Sequence, residues 1–432
     1  MRTRLGQLYG AIVVNAGSLV GTSLVTSTLG FLYWWLAARQ FSPQAVGLAV
    51  AAISPMMLLA NVGMLGLGTL LMGELPRSRG NAGPLVSTAL VAAGGAGIAL
   101  GVVFAIGAPL VAPGLPLNDS IATVALFAVG VGLATVTLVL DQVLIGLFRG
   151  GVQLGRNTVF AIAKLAALAA AGLWLAGADG MTIFATWTFG NLVSLVAVAG
   201  LAYGKTTLHR PQFGLLRHIG RRALVHHALN LALQAPSLAL PIVVAVVLSA
   251  AATAYFYTTW MVASFVFIGP FALTLALYAA ASADPTALTR KIRFTLGVGG
   301  AIGVAAILVV QFGADQMLAL FGVEYASQGA VALRIISLGV LPLVVKDHYV
   351  AVRRIGDGLG QAALFVTAGA VAELALAALG AAVGGLGGLA VGWVAAVFIE
   401  AAFGARVVYR AAVPQTTAPQ LALFSANYAN PR

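Results

Sequence analysis

Leu140 to Asn157 reads LDQVLIGLFRGGVQLGRN, and Lys346 to Gln361 reads KDHYVAVRRIGDGLGQ. Asp141 matches Asp347 at an offset of 206 and Arg149 matches Arg354 at 205, so a single gap aligns the two stretches. The chain therefore reads as a duplication, with each polar hairpin set between long apolar segments. Working outward from the hairpins, the apolar runs place spans at about 11–36, 45–73, 84–112, 120–147, 156–177, 181–203, 223–248, 252–280, 294–313, 328–352, 359–383 and 388–409. Each is near the ~20 residues that an α-helix needs to cross ~30 Å of hydrocarbon. An even number of spans per half makes both repeats enter the membrane in the same orientation, related by an axis along the membrane normal.

Composition agrees. Of 432 residues, 61% are hydrophobic and only 8% charged, against the quarter or so expected of a soluble globular chain. The expected fold class is all-α integral membrane, with about twelve transmembrane helices in two six-helix lobes, and a large soluble domain is excluded. The expected organisation is an N-terminal lobe over 1–204, a basic cytoplasmic linker over 205–222, a C-terminal lobe over 223–410 and a disordered cytoplasmic tail over 411–432. Arg2 and Arg4 precede an apolar segment too long for a signal-peptide core, so it reads as a retained first helix. There is no cysteine, hence no disulfide, thiolate metal site or cysteine nucleophile.

The net charge of +12 would point to nucleic acid in a soluble domain, but its placement explains it otherwise. The termini and the turns after even-numbered spans hold 19 of the 23 basic residues, Arg156 counted among them, while the opposite turns hold Arg39 alone beside Asp119, Asp179, Asp315 and Glu324. The positive-inside rule then puts both termini in the cytoplasm. The run from Lys205 to Arg222 reads as an anchor against anionic membrane lipid, and no nucleic-acid partner is expected.

Polar residues inside the spans mark the expected cavity. Asn15, Ser18, Thr22 and Thr26 share one face of the first span, and His226, Asn230, Gln234 and Ser237 share one face of the seventh. Matching stripes at the starts of both repeats suit a wet wall, although single polar residues also bond tightly packed helices together. Charges at this depth carry more information. Asp141 and Lys164 lie equally far from the midpoint of Arg149 and Arg156, which predicts an ion pair across the hairpin, equally fit for a structural role or a transport site. Glu373 and Glu400 flank residue 386 almost evenly, which predicts two carboxylates near mid-membrane and a site for a coupling proton. Arg39, Lys164, Arg334 and Lys346 are the cations that would suit an anionic substrate. The adjacent His226 and His227 cannot ligate a metal from one helix face, and no catalytic, metal or cofactor site is expected.

Two stretches carry a resemblance. LGFLYWWLAARQFSPQAVGLAVAAISPMMLLANVGMLGLGTLLMGELPR, from Leu29 to Arg77, resembles the first two helices of bacterial polysaccharide flippases, with Ala38 and Arg39 closing one helix and Gly47 opening the next. LFGVEYASQGAVALRIISLGVLP, from Leu320 to Pro342, is similar to that family's Leu-Phe-Gly-x-x-Tyr stretch and the Leu-Arg-Ile that follows. The resemblance implies the multidrug, oligosaccharidyl-lipid and polysaccharide exporter superfamily. Its polysaccharide branch moves polyprenyl-pyrophosphate-linked oligosaccharide from the cytoplasmic to the outer leaflet by alternating access, with H⁺ or Na⁺ as coupling ion and with polymerase and glycosyltransferases of the pathway as partners. It supplies no fixed signature to carry over, and twelve spans argue against its fourteen-span peptidoglycan-precursor branch. A multidrug cation antiporter is the alternative within the superfamily. A membrane glycosyltransferase or polymerase fits less well, since the longest outer connection, about 313–328, is short.

Overall fold

The computed structural model describes residues 2–76, 82–112, 114–175, 177–202, 209–218, 221–283, 288–356 and 358–413; side chains are described from residue 21 on, apart from those of 111, 202, 217, 218, 221, 222 and 278–283. In chain order the helices are α1 (Arg2–Gln40), α2 (Pro43–Gly63), α3 (Leu67–Glu74), α4 (Ala82–Val111), α5 (Ile121–Gly146), α6 (Gly150–Trp174), α7 (Gly180–Ala202), α8 (Arg221–Val247), α9 (Ala250–Ala283), α10 (Leu288–Ala319), α11 (Val323–Ser337), α12 (Val340–Ile355) and α13 (Leu359–Ala412). Among the described residues there is no strand.

Nine of these helices are long and apolar enough to cross a membrane, and α11 with α12, bent by 47°, makes a tenth crossing. α13 folds back on itself at Gly384 and Gly385, where the helical backbone breaks, and so presents an outgoing and a return arm; α1 is 39 residues long. Two expected spans are interrupted. The segment 45–73 breaks where Leu65 and Gly66 take positive φ (52° and 75°), giving α2 and α3, and 328–352 is the bent α11–α12 pair. Large apolar side chains such as Leu110, Ile121, Phe312 and Val383 are almost wholly exposed, an arrangement stable only against hydrocarbon.

Local sequence sets several helix ends. Ser42 caps α2, accepting from the Ala45 amide at 3.2 Å, and Pro43 sits at the first position, where its missing N–H costs nothing. Ser120 and Thr123 form a reciprocal cap at the start of α5.

α1–α7 pack as one bundle and α8–α13 as another. α2, rich in small buried residues, is the hub: it packs on α5 and α7 of its own bundle and on α8 and α9 of the other. Gly47 permits this, because a Cβ there would collide with the Ala250 carbonyl. At the same end, which we call the Arg39 face, the Arg39 guanidinium donates to the Leu320 carbonyl at 2.9 and 3.1 Å. Phe31 packs edge-on to Phe321 and Phe265, and Trp34 lies 4.7 Å from Tyr257 between ring centres. The opposite end, the basic face, carries the connection between the bundles. There the Gln212 amide donates to Thr88 Oγ1 at 2.7 Å, and Leu216, on the 3₁₀ turn Phe213–His218, packs against the apolar cluster that α3, α4 and α5 build around Leu71, Ala89 and Val139. That stretch of the basic connection is docked on the first bundle.

Candidate transport cavities

Two cavities meet along α9, sharing Ser264 and Ile268: one lies between α9 and the first bundle, the other within the second bundle among α8, α9, α12 and α13. The first is bounded toward the Arg39 face by Phe31, Trp34, Tyr257 and Phe265 of the aromatic seam; toward the basic face one cavity runs past Gln153 and Asn157, the other past Asn230 and Arg354.

The first-bundle cavity, about 430 Å³, is walled by Thr22, Thr26 and Ser27 of α1, by Asp141 of α5, by Gln153, Asn157, Phe160 and Lys164 of α6, by Trp187 of α7 and by Tyr257 and Phe265 of α9. Asp141 is held by Arg156 in a bidentate pair, Nε to Oδ1 at 2.9 Å and Nη2 to Oδ2 at 2.7 Å, with Asn157 Nδ2 3.3 Å from Oδ2. Lys164 is held differently. Its ammonium sits 3.4 Å from the centre of a Trp187 ring and 4.7 Å from those of Tyr33 and Phe160. Tyr33 presents its face because its hydroxyl is engaged with Thr186 Oγ1 at 2.8 Å and the Ile183 carbonyl at 3.1 Å. α6 and α7 come this close at Gly190, whose missing Cβ would lie 2.9 Å from that of Lys164.

The second-bundle cavity is larger, about 740 Å³, and combines aromatic walls (Trp260, Phe267, Phe271, Trp393) with Asn230, Gln234, Ser237, Lys346, Asp347, Arg354 and Glu373. Lys346 bridges two carboxylates, 2.5 Å from Glu373 Oε1 and 2.7 Å from Glu400 Oε2. Trp393 Nε1 donates to the other oxygen of Glu373 at 2.6 Å. Glu400 stands on the return arm of α13, against Gly369 of the outgoing arm, where any Cβ would meet its carboxylate. The three charged groups are buried, at 5%, 2% and 4% exposure for Lys346, Glu373 and Glu400, so they depend on one another rather than on water for counter-charge.

Solved structures share this fold. A multidrug resistance MATE family transporter of the MOP superfamily, in an inward-facing conformation, superposes with a TM-score of 0.64 over 91% of this chain and 98% of its own, at 15% identity. The lipid II flippase MurJ, in an inward closed conformation, gives 0.72 over 90% of this chain and 86% of its own, at 12% identity. A MATE in complex with MaL6 gives 0.63 at 13% identity over 93% and 96%. This chain has the fold of MOP-superfamily transporters. At these identities the likeness is one of fold; no family model and no curated protein sequence matches the chain.

Against the MOP fold, the residues singled out from sequence fall into three groups. Thr22, Thr26, Asn230, Gln234, Asp141, Lys164, Lys346 and Glu373 line the two cavities, and Glu400 stands directly behind Glu373 through Lys346. Arg39 does not line a cavity: it is an exposed clamp on the Leu320 carbonyl, because α1 runs on to Gln40 and carries it to the end of the bundle. Arg334 also lies away, paired with Asp315 and half-exposed, since α11 starts at the Arg39 face and bends before reaching the cavity. His226 lines neither cavity, being a turn closer to the basic face than Asn230. Asn15 and Ser18 lie outside the described side chains.

The expected Asp141–Lys164 pair is absent, and Arg156 takes the place of Lys164. The reason is the turn. α5 ends at Gly146 and α6 begins at Gly150, so the hairpin turns at Phe148 and Arg149, not midway between Arg149 and Arg156. Asp141 lies seven residues before Phe148 and Arg156 seven after Arg149, which puts those two at one depth. Arg156 therefore leaves the set of surface basic residues: it is buried, at 5% exposure. The turn at Gly384 and Gly385, close to the expected 386, leaves Glu373 and Glu400 near one depth, but Lys346 joins them. The aromatic partners of Lys164 and the Trp393 donor carry no sequence signal, because aromatic residues at helical spacing read as core. Among the described residues no group of three His, Asp or Glu side chains is placed to hold a metal ion.

Proposed function

We propose that this chain flips a polyprenyl-pyrophosphate-linked oligosaccharide, a precursor of cell-surface polysaccharide, from the cytoplasmic to the outer leaflet of a bacterial cytoplasmic membrane. The observation that carries this reading is the division of charge between the cavities. In the first cavity the one lining carboxylate, Asp141, is neutralised by Arg156 from outside the lining, which leaves Lys164 as an excess cation in a polar and aromatic wall suited to an anionic, hydroxylated headgroup. The Lys346, Glu373 and Glu400 group has one cation against two carboxylates, so one H⁺ or Na⁺ restores neutrality and serves as the coupling ion. Both termini and the 205–222 linker lie in the cytoplasm, and the Arg39 face is the outer one. The closed aromatic seam is then the outer gate, and the lobes 1–204 and 223–410 rock about α2 and its contacts. Pathway polymerase and glycosyltransferases are the expected functional partners, and no chemical step is performed on the substrate.

The test is reconstitution. Proteoliposomes loaded with a lipid-linked oligosaccharide should show flipping that follows an imposed cation gradient, and E373Q and E400Q variants should reach the membrane yet lose the gradient dependence. Normal gradient-dependent flipping by the double variant removes these two residues as the coupling site.

A second reading rests on the other cavity. Trp260, Phe267, Phe271 and Trp393 around Asp347 and Glu373 form an aromatic chamber whose carboxylates, set beside Lys346 and Arg354, offer contacts for an organic cation. Gradient-driven efflux of a cationic dye, with no flipping of lipid-linked sugar, would establish a multidrug antiporter in place of a flippase.

A further inference from the structure

Three Lys and Arg side chains are buried among the described residues: Arg156, Lys164 and Lys346. Two have their counter-charge inside the protein, Arg156 in Asp141 and Lys346 in Glu373 and Glu400. Lys164, 3% exposed, has none among the described residues; it faces only the rings of Trp187, Tyr33 and Phe160. An ammonium at membrane depth normally pairs with an acid or reaches water, so a cavity cation with neither is matched to an anion that arrives from outside.

A second observation identifies more of that visitor. Gln153, 7% exposed, lines the same cavity one turn before Asn157 on the same helix face, and its Oε1 is buried without a hydrogen-bond partner. An amide oxygen accepts hydrogen bonds, so the missing partner is a donor such as a hydroxyl. Pyrophosphate offers no such donor when ionised, whereas a sugar offers several. Trp34, Trp187, Tyr257 and Phe265 supply flat apolar faces for the C–H surfaces of sugar rings, and Thr22, Thr26 and Ser27 add hydroxyls opposite Gln153. The cavity of about 430 Å³ falls within the range of small-ligand sites.

We propose that this cavity is a binding site for a carboxylate-bearing sugar of the glycan, with Lys164 pairing the carboxylate and Gln153 Oε1 accepting a sugar hydroxyl. The proposal rests on the transport reading above and narrows its substrate to acidic glycans.

The experiment uses the full-length chain in lipid nanodiscs and three soluble probes: a glucuronate-containing disaccharide, its neutral glucose counterpart and inorganic pyrophosphate. Binding is read by calorimetry and by the fluorescence of Trp34 and Trp187. The glucuronate disaccharide should bind more tightly than the neutral one, K164M should weaken it by about tenfold or more, as loss of a charge-assisted contact does, and K164R should keep most of the affinity. Q153L should weaken both disaccharides alike. Wild-type affinity of K164M for the glucuronate probe overturns the proposal, as does absence of any glucuronate binding, or a Lys164 dependence seen for pyrophosphate instead. Should K164M not fold, the preference of the unmodified protein for the acidic disaccharide and the response of Q153L decide. Flipping of a glucuronate-containing lipid-linked oligosaccharide by the unmodified protein is scored in parallel. Its presence leaves the transport reading standing whatever the binding assay returns, and its absence removes that reading without touching the binding result, so the two fail separately.

Discussion

Replacing either member of the Asp141–Arg156 pair strands the other inside the first bundle. The pair is bidentate, with bonds of 2.9 and 2.7 Å, and its side chains are 18% and 4% exposed. Breaking a buried pair from one side costs about 3–5 kcal/mol, because an uncompensated charge stays behind. D141N keeps the shape of its side chain, so its cost is mostly electrostatic, whereas R156Q removes the charge together with the guanidinium's reach. In the D141N/R156Q double variant neither charge remains, and the cost should fall short of the sum of the singles by about 2 kcal/mol or more. The matching cycle with Lys164 is the control: Asp141 and Lys164 share no bond, so D141N and K164M should add to within about 0.5 kcal/mol. Reversible SDS titration in mixed micelles, followed by far-UV circular dichroism and tryptophan fluorescence, gives the four free energies of each cycle. Additivity for 141 with 156, or strong coupling for 141 with 164, would refute the geometry of the hairpin and with it the separation of a neutralised Arg156 from an unpaired Lys164.

K346M should be the most damaging single change in the second bundle, since it leaves Glu373 and Glu400 facing each other without their shared cation; thermal unfolding of purified K346M should start well below that of K346M/E400Q, and the reverse order would count against the bridge. R39A removes two hydrogen bonds across the seam at the Arg39 face, worth about 1 kcal/mol at an exposed site, so the closed-to-open ratio should fall about fivefold. Because the chain has no cysteine, a single cysteine at Phe265 reports this directly as faster labelling from outside the cell, and an unchanged rate would show that Arg39 is no part of the seal. G47V places a side chain into the Ala250 carbonyl and should prevent the same closure, raising labelling more than R39A does. Reporter fusions after Arg222 and Arg410 should read cytoplasmic and a fusion near Asp315 external; the opposite pattern would invert the proposed direction of transport.

The primary sequence by itself determined the architecture. Apolar length fixes which segments can cross, since an unpaired backbone polar group has no partner in hydrocarbon, and these runs placed nearly every crossing. Its breaks were less visible: Leu65 looks like any apolar helix residue, and only the fold turned the second span at that point. Polar stripes were legible wherever a period of 3.6 puts residues on one face, as with Thr22 and Thr26 or Asn230 and Gln234. What only the tertiary structure decided was partnership. A four-residue error in locating the turn between α5 and α6 was enough to exchange Lys164 for Arg156 as the partner of Asp141, because depth in a hairpin is counted from the turn on both arms at once. Arg156 and Lys164 are both long basic side chains on α6, separated by eight residues, and nothing in their identity says which finds an acid and which finds three aromatic rings. That outcome depends on how closely α1 and α7 approach α6, which Gly190 and the fixed hydroxyl of Tyr33 settle. Pairing of charges is a property of distances across elements remote in the chain, and periodicity along one helix carries no information about them.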